Sequence, residues 1–294
     1  MLTPQTKHPK LAKAIGLTAP LYFKREDLHP LLSHKGRSLP LMIDHHIKNG
    51  VNNFVVSSSG NAAIASALYI KKLNHKRQDK LSLQIFVGEK IDSAKLKKIQ
   101  KLIDKNITLL QTKNPKQSAF QLQKNNQAIW LRQSTDDTAL LGYAELAKEL
   151  SKIKNLSAVF VPTSSGTTAL GLAQEFKKLK LKAQIHIVQT LAVHPIAEKF
   201  SSMRSCCVEK ESLASAIVDK IALRKLPLLK AIKENRGYGW VASNQQIELA
   251  IKLVAKTEKI KLSPNSALAI IGLQQAIRNN WKFSGPVVCL ITGQ

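Results

Sequence analysis

Short runs rich in β-branched and aromatic residues alternate with amphipathic stretches along nearly the whole chain, and no other feature narrows the fold as far. The segments "NNFVVSSS" (52–59), "LSLQIFVG" (81–88), "ITLLQT" (107–112), "SAVFVPT" (157–163), "AQIHIVQT" (183–190) and "GPVVCLIT" (285–292) read as strands. Segments 60–73, 91–103, 114–125, 140–153, 168–179, 244–260 and 264–280 place apolar residues three and four apart and read as helices. A strand that feeds a helix before the next strand begins cannot close a tight hairpin. The pattern therefore predicts an α/β fold of mostly parallel sheets flanked by helices. At 294 residues there is room for two domains or one large unit. No repeat, low-complexity segment or long linker divides the chain, so a second domain has to arise within the fold.

Composition removes several classes of function. No run approaches the roughly 20 apolar residues needed to span a bilayer, and the start, "MLTPQTKHPK", lacks the apolar stretch of a secretory signal. Three cysteines, Cys206, Cys207 and Cys289, are too few for a disulfide framework, and an adjacent pair is a poor metal spacing. These features predict a cytoplasmic protein with no membrane partner. The formal charge of +26, from 45 Lys and Arg against 19 Asp and Glu, is the outlying number. Its blocks, "KKLNHKRQDK" (71–80), "KLKKIQKLIDK" (95–105) and "KKLKLK" (177–182), could mark a nucleic-acid footprint. Lysine outweighs arginine, however, aromatics are only 5%, and no nucleic-acid-binding motif is present. The blocks are read as solvated helix faces, with no specific nucleic-acid partner, on a surface that attracts anionic metabolites. His34, His45 and His46 lack a cysteine or carboxylate at ligand spacing, so no metal site is expected. Asp136–Asp137 is read as a helix cap. Arg37, Arg132 and Arg204 are candidates to meet a substrate phosphate, and nothing in the sequence chooses among them.

Two strand-to-helix turns are rich in small polar residues: "SSSGN" (57–61) and "PTSSGTTALG" (162–171). Each offers backbone N–H groups at a helix start, a ready anion site, with Gly60 permitting a tight turn in the first. Serine and threonine are also ordinary N-caps, so neither turn alone is specific. Neither matches the P-loop or the dinucleotide fingerprint.

The order of motifs is more specific. "YFKREDLHPLLSHKGR", "SSSGNAAIASALY", "VPTSSGTTALGLA", "SPNSALAIIGL" and "VVCLITG" follow one another as in the tryptophan synthase β-like, fold type II family of pyridoxal-phosphate enzymes. The resemblance runs from about Leu21 to Gly293 and is strongest to threonine synthase-like and dehydratase-like members. It implies that Lys35, in the pattern Lys-x-Glu-x-x-x-Pro-x-x-Ser-x-Lys-x-Arg, is both the lysine that condenses with the cofactor aldehyde and the base for the substrate Cα proton. It further implies that Asn61 bonds the ring hydroxyl of pyridoxal 5'-phosphate and that Ser58, Ser59 and Gly60 receive the substrate carboxylate. Ser164, Ser165, Gly166, Thr167 and Thr168 would cradle the cofactor phosphate, and Thr292 would face the pyridine nitrogen. A hydroxyl there makes the ring a weaker electron sink than a carboxylate does, which suits elimination or replacement at Cβ.

Three departures from the family pattern accompany these matches. The phosphate turn has one glycine between Ser164–Ser165 and Thr167. Leu32 stands where a glycine often precedes the motif serine. Thr292 lies close to Gln294, on a segment expected to fray. The resemblance implies a larger cofactor-binding domain of residues 1–40 and 139–294 and a smaller mobile domain of 41–138. It implies an enzyme acting on a small amino acid at Cβ or Cγ, threonine synthase-like, and often homodimeric among its members. The alternatives are a serine/threonine dehydratase-like lyase, a non-catalytic relative that binds the cofactor, or a basic nucleic-acid-binding protein.

Overall fold

The computed structural model describes residues 2–200 and 209–293. Cys206, Cys207 and Arg204 lie outside the described residues. The chain divides into two compact units, one of residues 1–28 and 143–294, the other of 29–142.

The first unit holds a six-stranded sheet. Its strands are β1 (Gln5–Lys7), β2 (Leu21–Arg25), β7 (Ala158–Pro162), β8 (Gln184–Thr190), β9 (Gly239–Ala242) and β10 (Val287–Ile291), in the order β1-β2-β10-β7-β8-β9. Only the β1–β2 pair is antiparallel. β7 and β10 are buried at every residue, as a central parallel strand covered on both faces must be. Helix Pro264–Arg278 crosses this sheet, and Gly272 permits the approach: a Cβ there would lie 2.4 Å from Val188 Cγ2. Beneath it, β2 carries Lys24, fully buried, whose Nζ bonds the Glu149 carboxylate and the Thr3 carbonyl. That lysine of the motif is thus committed to an internal ion pair.

The second unit holds a parallel four-stranded sheet of β3 (Asn53–Ser57), β4 (Ser82–Gly88), β5 (Ile107–Thr112) and β6 (Ile129–Trp130), ordered β5-β4-β3-β6. Six predicted strands are present within a residue or two of their expected bounds. The helix expected over 140–153 is instead two, Thr138–Leu141 and Ala144–Leu150, broken at Gly142. There the backbone passes so close to the chain after Lys35 that a Cβ would sit 2.4 Å from both the Arg37 carbonyl oxygen and Ser38 Cα. The lysine blocks lie as expected on outward faces, with Lys72, Lys76, Lys80, Lys98, Lys101 and Lys178 all exposed.

His186 on β8 is buried, stacked on Phe160 at 4.5 Å. Trp240 Nε1–H donates to His186 Nδ1 at 3.1 Å, which leaves the proton on Nε2, facing Gln184 Oε1 at 3.1 Å. Burial pulls the imidazole down from 6.5 to about 3. Because the folded value lies below the unfolded one, this stabilisation is full above about pH 6.5 and is lost as pH falls toward 3. Urea unfolding at pH 7 and pH 5 should show a drop in stability, of which about 2 kcal/mol comes from His186. In His186→Phe the difference between the two pH values should shrink by about that amount. An unchanged difference would mean the imidazole is not held neutral.

Candidate active site

The second unit carries the lysine turn. β2 leads through the 3-10 turn Glu26–Leu28 and residues 29–33 into a second 3-10 turn, His34–Arg37, which packs on helices Leu39–Lys48 and Asn61–Asn74. Lys35 is half-buried on it. His29 fixes the approach: its Nδ1 accepts the Leu31 N–H at 3.1 Å, its carbonyl accepts the Leu32 N–H at 2.6 Å, and the ring fills the space a Gly36 Cβ would need. A Cβ on Gly36 would lie 2.3 Å from the imidazole, so the residue after the lysine has to be glycine. Leu32 adopts φ +63°, the left-handed region, where the family pattern often has glycine. An exposed leucine held there costs about 1 kcal/mol. Leu32→Gly should therefore raise stability by about 1 kcal/mol in urea unfolding, less the extra chain entropy of glycine. A loss of stability would show that the leucine side chain, not the backbone, holds the turn.

The same unit brings Ser58, Ser59, Gly60 and Asn61 together at the carboxyl end of β3, where open parallel sheets present their ligand sites. The Ser58 hydroxyl accepts the Gly60 N–H at 3.2 Å, and Asn61 opens the 14-residue helix Asn61–Asn74. Gly60 has φ −141° and a Cβ on it would meet nothing within 4 Å. Space around the turn therefore does not exclude a side chain there. The glycine keeps the face of the turn open.

In the first unit, β7 ends at Pro162 and the turn 163–166 leads into helix Thr167–Lys178. Gly166 is needed for its backbone, φ +93°, and a Cβ there would also press on Leu228 Cδ2 at 2.8 Å. The first N–H groups of the helix have no partner within it, so they form an electropositive mouth at Thr167–Thr168. Ser165 Oγ lies 3.0 Å from Thr167 Oγ1. The Ser164 hydroxyl is engaged elsewhere: it donates to Asp219 Oδ2 at 2.9 Å and accepts the N–H groups of Val218 and Asp219 at 3.2 and 3.3 Å.

β10 neighbours β7 in parallel register, Val287 against Ala158 and Cys289 against Phe160, and Thr292 follows directly after β10. Thr292 is buried, 3.5 Å from the Ser266 hydroxyl. The expected fraying is not observed. Ser263 and Ser266 hydroxyls donate to the Gly293 carbonyl at 2.6 and 2.9 Å and pin this segment to the start of helix Pro264–Arg278.

The candidate residues thus form two groups. Lys35 and Ser58–Asn61 are in one unit, Ser164–Thr168 and Thr292 in the other. Arg37 is buried, and Arg132 lies over the Trp130 ring at 4.8 Å. His46, which has no carboxylate at ligand spacing in the sequence, meets Asp136 at 3.4 Å across 90 residues of chain, a pairing that spacing cannot reveal. Asp136 also caps as expected, accepting the Thr138 N–H at 2.8 Å. No cluster of three His, Cys, Asp or Glu able to hold a metal occurs among the described residues. No helix among them is long and apolar enough to cross a membrane. His29 and Asp219 were not singled out from the sequence. Asp219 reaches its turn from 55 residues away and leaves no local signal.

The family model described as "Pyridoxal-phosphate dependent enzyme" matches residues 2–293. The chain is 24% identical over 308 residues to a threonine synthase of Methanosarcina acetivorans, covering 99% of this chain and 74% of the relative. It is 23% identical over 310 residues to the L-serine dehydratase/L-threonine deaminase of Bos taurus, covering 99% and 89%. Among solved structures, threonine deaminase isoform 2 of Solanum lycopersicum superposes with a TM-score of 0.80 at 20% identity, over 99% of this chain and 78% of that one.

Proposed function

The chain belongs to the pyridoxal-phosphate-dependent enzyme family, and from that premise we propose that it acts on a small amino acid by elimination or replacement at Cβ or Cγ, in the manner of a threonine synthase. The residues present fit the cofactor. Gly166 takes the left-handed backbone that turns the chain into helix Thr167–Lys178, whose start is a mouth suited to a phosphate, and Thr292 is a buried hydroxyl residue just after the neighbouring strand β10. When bound, pyridoxal phosphate supplies a reactive aldehyde and an electron sink for charge developing at the substrate Cα.

The remaining roles belong to the chain. Ser58 and the amides of the 58–60 turn would hold the substrate carboxylate at the open face that Gly60 leaves. Asn61 would orient the ring through its hydroxyl. Ser165, Thr167 and Thr168 would anchor the phosphate with backbone N–H groups and hydroxyls. The Lys35 amine would take the Cα proton, a task its position on a turn braced by His29 suits, since a base must be held at a fixed distance to act. The observation that carries the reading is Thr292, a buried hydroxyl residue at the end of β10. A hydroxyl facing the pyridine nitrogen leaves that nitrogen less fully protonated than a carboxylate does. This favours prompt loss or replacement of a group at Cβ over prolonged carbanion chemistry.

The similarity to both a threonine synthase and a dehydratase keeps a second reaction in view, ammonia release from serine or threonine. The test is a product assay on the purified protein with cofactor. A phosphorylated four-carbon amino acid should give phosphate and threonine, faster than serine or threonine give ammonia and a 2-oxo acid. Ammonia release with no phosphate release would establish the dehydratase reaction instead.

A further inference from the structure

A carboxylate sits on the turn assigned above to the cofactor phosphate. The segment 209–219 runs past this turn, and it is not loosely placed. Ala214 and Ile217 are buried in the core of the first unit. Leu213 N–H donates to Asn244 Oδ1 at 2.8 Å and Ala216 N–H to Asn265 Oδ1 at 3.0 Å. At its end, Val218 and Asp219 give their N–H groups to Ser164 Oγ, and the Ser164 hydroxyl donates its one hydrogen to Asp219 Oδ2 at 2.9 Å. The hydroxyl has one hydrogen and two acceptor lone pairs, and all three are used.

Two consequences follow from charge and hydrogen-bond capacity. An anion is favoured at the N-terminus of helix Thr167–Lys178, and Asp219 places an internal one on Ser164, three residues before that helix begins. An incoming phosphate meets a like charge and finds the Ser164 hydrogen already donated. We propose that Asp219 is a resident counter-anion of the phosphate turn, which sets cofactor affinity by competing with the phosphate group for Ser164 and the helix mouth. In the cofactor-free protein Asp219 stabilises the turn. On cofactor entry its side chain has to give up the Ser164 hydroxyl, while the backbone N–H groups of Val218 and Asp219 retain it. The inference rests on the assignment of 164–168 to the cofactor phosphate.

The experiment is a titration of cofactor-free protein with pyridoxal phosphate and, separately, with pyridoxal, followed by the absorbance of the bound chromophore. Wild type, Asp219→Asn, Asp219→Ala and Asp219→Glu are compared. Removing the charge should tighten pyridoxal phosphate by roughly 10-fold or more, the scale of a close like-charge contact near a protein surface. Asp219→Glu should stay near wild type. Pyridoxal, which has no phosphate, should bind all four proteins alike, and cofactor-free Asp219→Asn should melt at a lower temperature than wild type. Equal or weaker pyridoxal phosphate binding by Asp219→Asn, with wild type binding normally, would overturn the role of Asp219. Failure of wild type and every variant to bind the cofactor would instead remove the phosphate-turn assignment beneath it.

Discussion

Lys35→Ala should bring turnover to the level of the buffer blank while leaving the fold and thermal melting of the protein unchanged. Lys35 is half-buried on a turn whose shape is set by its neighbours: His29 packed over Gly36, the Gly36 N–H on the Ser33 carbonyl at 3.0 Å, and Gly142 against the backbone of Arg37 and Ser38. None of these contacts uses the Lys35 amine, so the shape of the turn should survive its loss. With Lys35 as the proposed attachment point and base, its loss removes two steps at once. The other lysine of the motif, Lys24, is fully buried against Glu149 and Thr3. Leaving that pair would strand the Glu149 carboxylate in the core, at a cost of several kcal/mol. A Lys35→Ala protein that kept a tenth of wild-type turnover would show that the base lies elsewhere.

The second large effect is expected at Thr292. Thr292→Ala should lower turnover by about 10²-fold, the usual scale for losing one positioned polar partner of a reacting group. Thr292→Ser should keep most of the activity, because it retains the hydroxyl. The cofactor should still load in both, since the phosphate turn and the Lys35 turn are untouched. The segment is held from behind by Ser263 and Ser266 on the Gly293 carbonyl, so deleting one methyl and one hydroxyl leaves the strand end in place. Steady-state kinetics on the three proteins checks this. Equal rates for Thr292→Ala and wild type would make Thr292 a strand-end residue and require another group to face the ring.

How far the sequence foretold this protein differs between elements for physical reasons. β3, β4, β5, β7, β8 and β10 were legible because most of them lie in sheet interiors, where burial on both faces demands continuous runs of Val, Ile, Leu and Phe. β1 (Gln5–Lys7) was not, because an antiparallel edge strand of "QTK" needs no apolar face. β6 has two residues, too few for any period to show. The break at Gly142 was hidden because its cause is the backbone of residues 37–38, a contact made across a hundred residues of chain. The turns around Lys35, Gly60 and Gly166 could be read locally, since each is a compact motif of small and polar residues between recognisable elements. The strain at Leu32 could be suspected from the glycine it replaces, whereas only the fold reveals that the residue adopts φ +63°. Asp219 shows the limit most clearly. Its position follows from Asn244, Asn265 and two buried side chains, none of which marks the stretch 209–219 as part of a site.

The central claim is that Lys35 carries the cofactor, and chemical trapping tests it most directly. The protein is loaded with pyridoxal phosphate, reduced with borohydride, digested and analysed by peptide mass. The account predicts a single phosphopyridoxyl group on the peptide containing Lys35, and loss of that adduct in Lys35→Ala. Label on Lys24, or spread over the exposed lysines of 71–80, 95–105 and 177–182 with equal yield, would contradict it.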